Sequence, residues 1–400
     1  MSPSADSALP PPLMTSEEGS FARRTIIERK PRIIQQVIDD NDYPDEIVRA
    51  LEAFRAEIAS EALAQPLSEL VSDASMWNEA LAQYQPATWL ELPWYFAETF
   101  FYRRLLEATR YVAPGPWMGR DPFEPQKRDQ IRGAVERLTA IWDQLPRSDP
   151  QQGFDTLMHS ALWGNRTDLS NRTVSEEARN AIAAESQRQH LLIDDTAAVK
   201  AHVTPGLTRV DFVHDNVGLD LLFDLALIDL LLEQRWAMRV VMHLKDAPFF
   251  VSDAMIKDVR ETLAQMRSSS EEAVQKLPER LGDYLTAGRL ILRDEPFWTT
   301  HRTFRQMPES MRADLSGSDL VVLKGDVNYR RLLGDRHWPH AARLSQVAGY
   351  FPAPVVALRT LKAELIVGLE PGQAEALATE DPDWLINGQR GLIHALGLDG

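Results

Sequence analysis

The second half of the chain alternates two hydrophobic patterns, and that alternation restricts its possible folds more than any other feature. Short apolar, β-branched runs occur at residues 209–215, 239–244, 289–293, 319–324 and 354–359, with a sixth candidate at 364–369. Longer stretches with helical spacing lie between them. A strand, a helix and a further strand need a crossover connection, and crossovers make parallel sheets. The expected fold class is α/β: an α/β/α sandwich with a largely parallel sheet, formed by residues 187–400.

Residues 21–186 read as a helical N-terminal domain. Segments 45–62, 93–111 and 126–145 place apolar residues three and four apart. Pro-containing loops such as Ala113-Pro114-Gly115-Pro116 separate them. Residues 1–20, rich in Pro, Ser and Ala, are expected to be disordered. A length of 400 residues suits two domains, and no repeat of fixed period is present.

Composition then narrows the chemistry. With 43 basic and 59 acidic residues the net charge is -16, so nucleic acid and anionic membranes are poor partners. A phosphorylated substrate would need local cations or a metal to reverse that field. The absence of cysteine excludes disulfides, thiolate catalysis and Cys-based zinc sites, and it fits a cytoplasmic location. The N-terminus lacks the basic-then-apolar pattern of a signal peptide. The most apolar helical stretch, residues 219–232, is too short to span a bilayer and carries Asp220, Asp224 and Asp229. Of these, Asp224 and Asp229 are expected to be solvated.

Ligands of open parallel sheets bind at the C-terminal strand ends. Those ends are chemically loaded here. The first carries Asp215-Asn216, the second Lys245-Asp246 and, after a short loop, Ser252-Asp253. A later one carries Lys324-Gly325-Asp326 and then Asn328-Tyr329-Arg330, and the next Arg359-Thr360-Leu361-Lys362. Carboxylates and an amide from two loops suit a hard divalent cation, and Lys and Arg from two others suit an anion beside it. Each residue also has a plain structural role open to it. Asn216 and Asp253 each precede a helix and would serve as N-caps, Lys324-Gly325-Asp326 as a tight turn, and Lys362 as a solvated charge. His214 neighbours Asp215, but adjacent strand residues point to opposite faces, which favours a structural role. Asp220 lies about one helical turn beyond Asn216 and can face the same pocket. There is no GxxxxGK[ST] loop, no GxGxxG and no DxDx[TV] signature.

These residues resemble a known family. The run His214-Asp-Asn-Val-Gly-Leu-Asp-Leu-Leu-Phe-Asp-Leu225 is similar to the DNxGxE…DL signature of the damage-control phosphatases, formerly a domain of unknown function. Leu323-Lys-Gly-Asp-Val-Asn-Tyr-Arg-Arg-Leu332 is similar to the family's KGDLNYRKL segment. Arg359-Thr360-Leu361-Lys362 matches the RTxK motif of the subfamily of sugar-phosphate phosphatases related to acidic residue methyltransferase. Segments 162–170 and 94–104 also resemble that subfamily, so the likeness runs from about Phe21 to Lys362.

The resemblance implies a divalent metal, Mn²⁺ or Ni²⁺ first and Co²⁺ or Mg²⁺ next, at Asp215, Asn216 and Asp253. It implies substrate contacts from Asp326, Val327, Asn328, Tyr329, Arg330 and Lys362. Fructose 1-phosphate and fructose 6-phosphate are the implied substrates, and disposal of surplus or reactive sugar phosphates the implied role. The alternative it implies is an S-adenosylmethionine-dependent protein-carboxyl methyltransferase. Asp220 stands where the family has Glu, one methylene shorter. Asp253 and Asp220 are the candidates for activating water or attacking phosphorus. Asn165 and Asp168 are candidates for a loop over the sugar, and Glu98 is expected to pair with Arg103 or Arg104. A non-catalytic binding protein is a third reading, against which the intact Asp215, Asn216, Asp253 and Lys362 weigh.

Overall fold

A computed structural model describes residues 9–60, 62–68, 71–141, 149–164 and 190–398. The N-terminal helices are α1 (Phe21–Arg24), α2 (Lys30–Asp40), α3 (Asp45–Ile58), α4 (Ala74–Ala82), α5 (Trp94–Ala108), α6 (Glu124–Ile141) and α7 (Pro150–Trp163). There follow β1 (Leu191–Asp194), α8 (Thr196–Val203), β2 (Leu207–Val213), α9 (Leu219–Glu233), β3 (Ala237–Leu244), α10 (Ile256–Arg267), α11 (Glu272–Thr286) and β4 (Leu290–Asp294). The last elements are α12 (Glu309–Leu315), β5 (Leu320–Lys324), α13 (Gly325–Leu333), α14 (Leu344–Ala348), β6 (Val355–Thr360), α15 (Gln373–Glu380) and β7 (Gly391–Leu396).

The seven strands form one sheet in the order β1-β7-β6-β5-β2-β3-β4. Strands β2 to β6 are mutually parallel; β7 runs antiparallel to β6, and β1 runs parallel to β7. The α/β/α sandwich is therefore as expected, with its two reversed strands at one edge. Five of the six expected strands are present within two residues of their anticipated bounds. The sixth, 364–369, is not a strand. It is a buried irregular segment whose apolar side chains Leu365, Ile366 and Val367 fill the core. The fully buried Arg359 guanidinium donates to the carbonyls of Ala363 and Leu365 there, so this backbone is satisfied without a sheet partner. Strands β1 and β7 were not anticipated.

Side-chain alternation along the strands divides the core into two layers. Leu320 and Val322 of β5 face one cluster, and Val321 and Leu323 the other. Helix α9 lies in the first layer and is buried on every side, as an all-round apolar helix must be. Its acids are consequently not solvated. Asp224 is 1% exposed and pairs with Lys324 at 2.5 Å, and Asp229 pairs with Arg280. Burial of an ionised carboxylate requires such a partner.

Helices α2 to α5 build a separate core around Phe54, Trp77, Trp89 and Phe100, whereas α6 and α7 pack on α9 within the sandwich layer. Residues 9–20, part of the segment expected to be disordered, are tied down instead. Pro12 bridges to Arg336 and Met14 to Pro93, with Leu13 and Thr15 buried between them. Among the described residues, no helix is long and apolar enough to cross a membrane.

Candidate active site

The parallel strands β2, β3, β5 and β6 deliver their C-terminal ends to one place. Asp215, Asn216, Asp220, Lys324, Gly325, Thr360 and Lys362 line a pocket there, with Ala161 and Leu162 of α7 closing one side. The pocket opens to solvent at Lys362, and its cavity volume of about 20 Å³ holds roughly one water or ion. The expected gathering of Asp215, Asn216, Asp220 and Lys362 is thus observed.

The plain capping roles are not the ones taken. Gly218 occupies the N-cap of α9 and receives no side-chain cap, while Met255 occupies that of α10. Asn216 spends its amide nitrogen on Asp215 (2.7 Å) and Asp220 (3.2 Å), and its oxygen accepts from the Ser252 hydroxyl at 2.6 Å. An amide oxygen has a second lone pair, which remains for another ligand. Asp253 is fully buried and pairs with the Lys245 ammonium at 3.2 Å, and its Oδ1 has no hydrogen-bond partner. The loop carrying it is stitched to the Asp215 loop by an Asn216–Asp253 bridge and by Ala254 N–H donating to the Asp215 carbonyl at 2.8 Å.

This proximity has an electrostatic consequence. Withdrawal from solvent, followed by repulsion from Asp253 and Asp220, raises Asp215 well above the carboxylate range. Burial likewise raises Asp220 and Asp253, against the opposing pull of lysines: Lys324 and Lys362 for Asp220, Lys245 for Asp253. A divalent cation would relieve all three. Among the described residues, no group of three or more His, Asp or Glu side chains is disposed to hold a metal by itself. The fit is instead to two carboxylates and one amide oxygen, Asp215, Asp253 and Asn216, with the partnerless Asp253 Oδ1 as the observation that favours it. Hard oxygen donors of this kind suit Mg²⁺ and Mn²⁺.

Glycine is required at one wall. Gly325 has φ +82°, and a Cβ there would lie 1.9 Å from Asp215 Oδ2. Gly164, at the end of α7, approaches Asp220 similarly, a Cβ meeting Oδ1 at 2.5 Å.

The expected substrate contacts divide. Lys362 is exposed at the mouth of the pocket. Asp326 accepts from Arg359 Nε at 2.7 Å and from the Lys362 backbone N–H at 3.3 Å, and so fixes the strand end that presents Lys362. Val327 is half-buried in the first turn of α13. Asn328, Tyr329 and Arg330 are corrections: all three are buried in the framework. Asn328 donates to the carbonyl of Lys324 at 2.7 Å, tying α13 to β5. Tyr329 lies under the Arg359 guanidinium. Arg330 is clamped by Asp335 and by Glu98 at 2.5 Å, over the face of Trp94. Glu98 pairs with Lys30 and Arg330, not with Arg103 or Arg104, which bind Asp73 and Glu57. Asn165 and Asp168 lie outside the described residues.

His214 is structural, as expected: buried, with Nδ1 3.1 Å from Asp224. Sequence reasoning placed Lys245, Lys324 and Thr360 at the loaded strand ends but gave none of them a role of its own in the site. Their signal was position alone, each standing at or just past the end of a parallel strand.

Carboxylates and lysines thus converge at the parallel strand ends, the place where open α/β sheets bind their ligands. A family model for the damage-control phosphatase ARMT1-like domain matches residues 25–377, and the chain belongs to that family. It is 30% identical to damage-control phosphatase ARMT1 of Danio rerio over 439 aligned residues, covering 97% of this chain and 98% of the relative. The Mus musculus protein of the same name is 32% identical, covering 95% and 97% respectively. A crystal structure of a DUF89 family protein from Pyrococcus horikoshii superposes with a TM-score of 0.51 at 14% identity, over 93% of this chain and 96% of that one, and shares the fold.

Proposed function

We propose that the protein is a metal-dependent phosphatase acting on small sugar phosphates, with fructose 1-phosphate and fructose 6-phosphate as the first substrates to test. The observation that carries this reading is one pocket holding Asp215, Asn216, Asp220, Lys324 and Lys362, in a chain of the damage-control phosphatase family. Asp215, Asn216 and Asp253 would hold the cation, Mn²⁺ or Ni²⁺ before Co²⁺ or Mg²⁺. When bound, it supplies charge neutralisation and orientation of a phosphoryl oxygen.

The chain's own groups do the rest. The exposed Lys362 ammonium meets the incoming dianion. The N-terminus of α13, whose first N–H groups lack intrahelical partners, offers backbone donors beside it. These replace Arg330, which is already committed to Glu98 and Asp335. Asp253, sealed and ion-paired to Lys245, is better suited to ligation than to proton transfer. Asp220 is left as the group to take a proton from an attacking water, with Asn216 Nδ2 orienting its Oδ2 at 3.2 Å.

The test is phosphate release from a panel of sugar phosphates by metal-stripped protein, with Mn²⁺, Ni²⁺, Co²⁺ and Mg²⁺ restored one at a time. Saturable release that depends on the added metal is expected, fastest with a ketohexose phosphate. No release from any substrate, together with tight S-adenosylmethionine binding by calorimetry, would replace the phosphatase with the methyltransferase.

A further inference from the structure

Just before Ser252 and Asp253, two bulky residues adopt a backbone conformation that such residues avoid. Phe250 has φ +44° and Val251 φ +69°. For a β-branched residue a positive φ is a genuine outlier, and strain of this kind persists only where the surroundings over-determine it. The surroundings here come from the helical region. The Phe250 ring lies 4.8 Å from the ring of Tyr102 on α5, and Phe249 lies 5.7 Å from it. The buried Lys30 ammonium of α2 sits 4.8 Å from the Tyr102 ring and 5.8 Å from that of Phe250, held by Glu98 at 2.7 Å. On the other side the same turn is stitched to the site. Ser252 accepts from Val217 N–H at 2.8 Å and its hydroxyl donates to Asn216 at 2.6 Å, while Asp253 bridges to Asn216. Between Lys245 and Asp253 the chain must turn back sharply enough to put a sealed carboxylate beside Asp215.

We infer that the Phe250–Val251 turn is a strained positioning device: the helical region, through Tyr102 and Lys30, clamps it in the left-handed conformation, and the clamp sets Asp253 against Asp215 and Asn216. Phe250, Val251 and Tyr102 are positioning residues that act through Asp253. The inference rests on the proposed metal site and gives the N-terminal helices a role in it. A turn free of strain would be more stable alone and would hold the carboxylate less firmly. Stability and site competence are therefore predicted to move in opposite directions, which a merely structural turn would not show.

Val251→Gly and Val251→Asn test this. Both residues accept positive φ, and Asn retains side-chain bulk. Melting of the metal-free protein, Mn²⁺ affinity by calorimetry, and kcat and KM for a sugar phosphate are measured for each. Val251→Asn, which itself favours the left-handed conformation, is expected to melt at a higher temperature and to keep Mn²⁺ affinity and kcat. Val251→Gly, which is free to leave that conformation, is expected to melt at an equal or higher temperature, to bind Mn²⁺ more weakly and to lose about ten- to a hundredfold in kcat, the scale for a misplacement near 1 Å, with KM little changed. Tyr102→Leu, which removes the clamp, should weaken Mn²⁺ binding similarly. Adding Val251→Gly to it should cause little further loss, because both changes release the same strain. Lower stability with unchanged Mn²⁺ affinity in Val251→Gly would overturn the inference, as would weakened Mn²⁺ binding in Val251→Asn or fully additive losses in the double variant. Melting and Mn²⁺ titration need no turnover, so these results stand apart from any failure of the phosphatase reading, which would show as absent phosphate release in the unsubstituted protein.

Discussion

Substituting Gly325 by Ala isolates the closest approach in the site. A new Cβ would fall 1.9 Å from Asp215 Oδ2 and 2.2 Å from its Cγ, at a residue with φ +82°. Non-bonded contact needs roughly 3.5 Å, so the carboxylate or the start of α13 must move by about 1.5 Å. The left-handed backbone alone costs an alanine about 1–2 kcal/mol, partly offset by the lower entropy of the unfolded chain. Gly372→Ala provides the control: its φ is +85°, but nothing lies within 4 Å of the added Cβ. Urea unfolding should show a loss of about 1 kcal/mol in Gly372→Ala, with normal activity. Gly325→Ala should lose more stability, and its phosphate release should fall by about a hundredfold, the effect of displacing a reacting group by an ångström or more. A Gly325→Ala protein with turnover within twofold of the unsubstituted one would refute the placement of Asp215 in the reacting centre.

Other outcomes follow from charge. Because Asp215 is raised in the folded state, the native protein binds more protons than the unfolded one above about pH 4, so metal-free stability falls as pH rises through that window. Asp215→Asn should therefore melt higher than the parent in EDTA at pH 7, with the difference shrinking toward pH 4, while losing Mn²⁺ binding; an Asn variant that is less stable in EDTA would contradict the crowding of carboxylates. Lys362 is exposed, so Lys362→Met should raise KM by about tenfold, or roughly 1.4 kcal/mol, less at high salt, and an unchanged KM at low ionic strength would remove it from substrate binding. Burial pushes the Glu98 carboxyl up, but Lys30 and Arg330 outweigh it and hold it at about 2, whereas burial takes the Lys30 ammonium down to about 8. The stability that Glu98 contributes is complete above its unfolded value near 4.5 and disappears as pH falls toward 2. Glu98→Gln should cost about 3–5 kcal/mol at pH 7 by leaving buried cations undercompensated, and much less at pH 3, as read by urea unfolding.

Strands β2 to β6 were legible because their β-branched runs are short, buried and bounded by helices. Strand β1 has only four residues, and β7 begins at a glycine and includes His394, so neither displays that pattern. The run 364–369 displays it without being a strand, since hydrophobicity reports burial and Arg359 satisfies its backbone from the side. The convergence of Asp215, Asn216 and Asp253 was readable from the rule that parallel strands present ligands at their C-terminal ends; the metal role proposed for them came from the family resemblance. Arg330 was misread because its partner Glu98 lies 232 residues away. A cation beside a strand end looks like an anion receptor until its counter-ion is seen. The acids of α9 were misread for a related reason: Asp224 finds Lys324 one hundred positions later, at the end of a strand on which α9 packs. Long-range pairing decides which charges serve the framework and which stay free for chemistry, and local sequence carries no record of it.

Asp215, Asn216 and Asp253 are proposed to hold the cation that makes this pocket a phosphatase site. Anomalous diffraction from crystals grown with Mn²⁺ tests this most directly. One strong Mn peak is expected within about 2.0–2.2 Å of oxygens from these three side chains, the range for a small hard divalent cation, with Asp220 and Lys362 beside it. A Mn²⁺-saturated crystal whose peaks lie elsewhere, with Asp253 still paired to Lys245 and no density between Asp215 and Asn216, would contradict it.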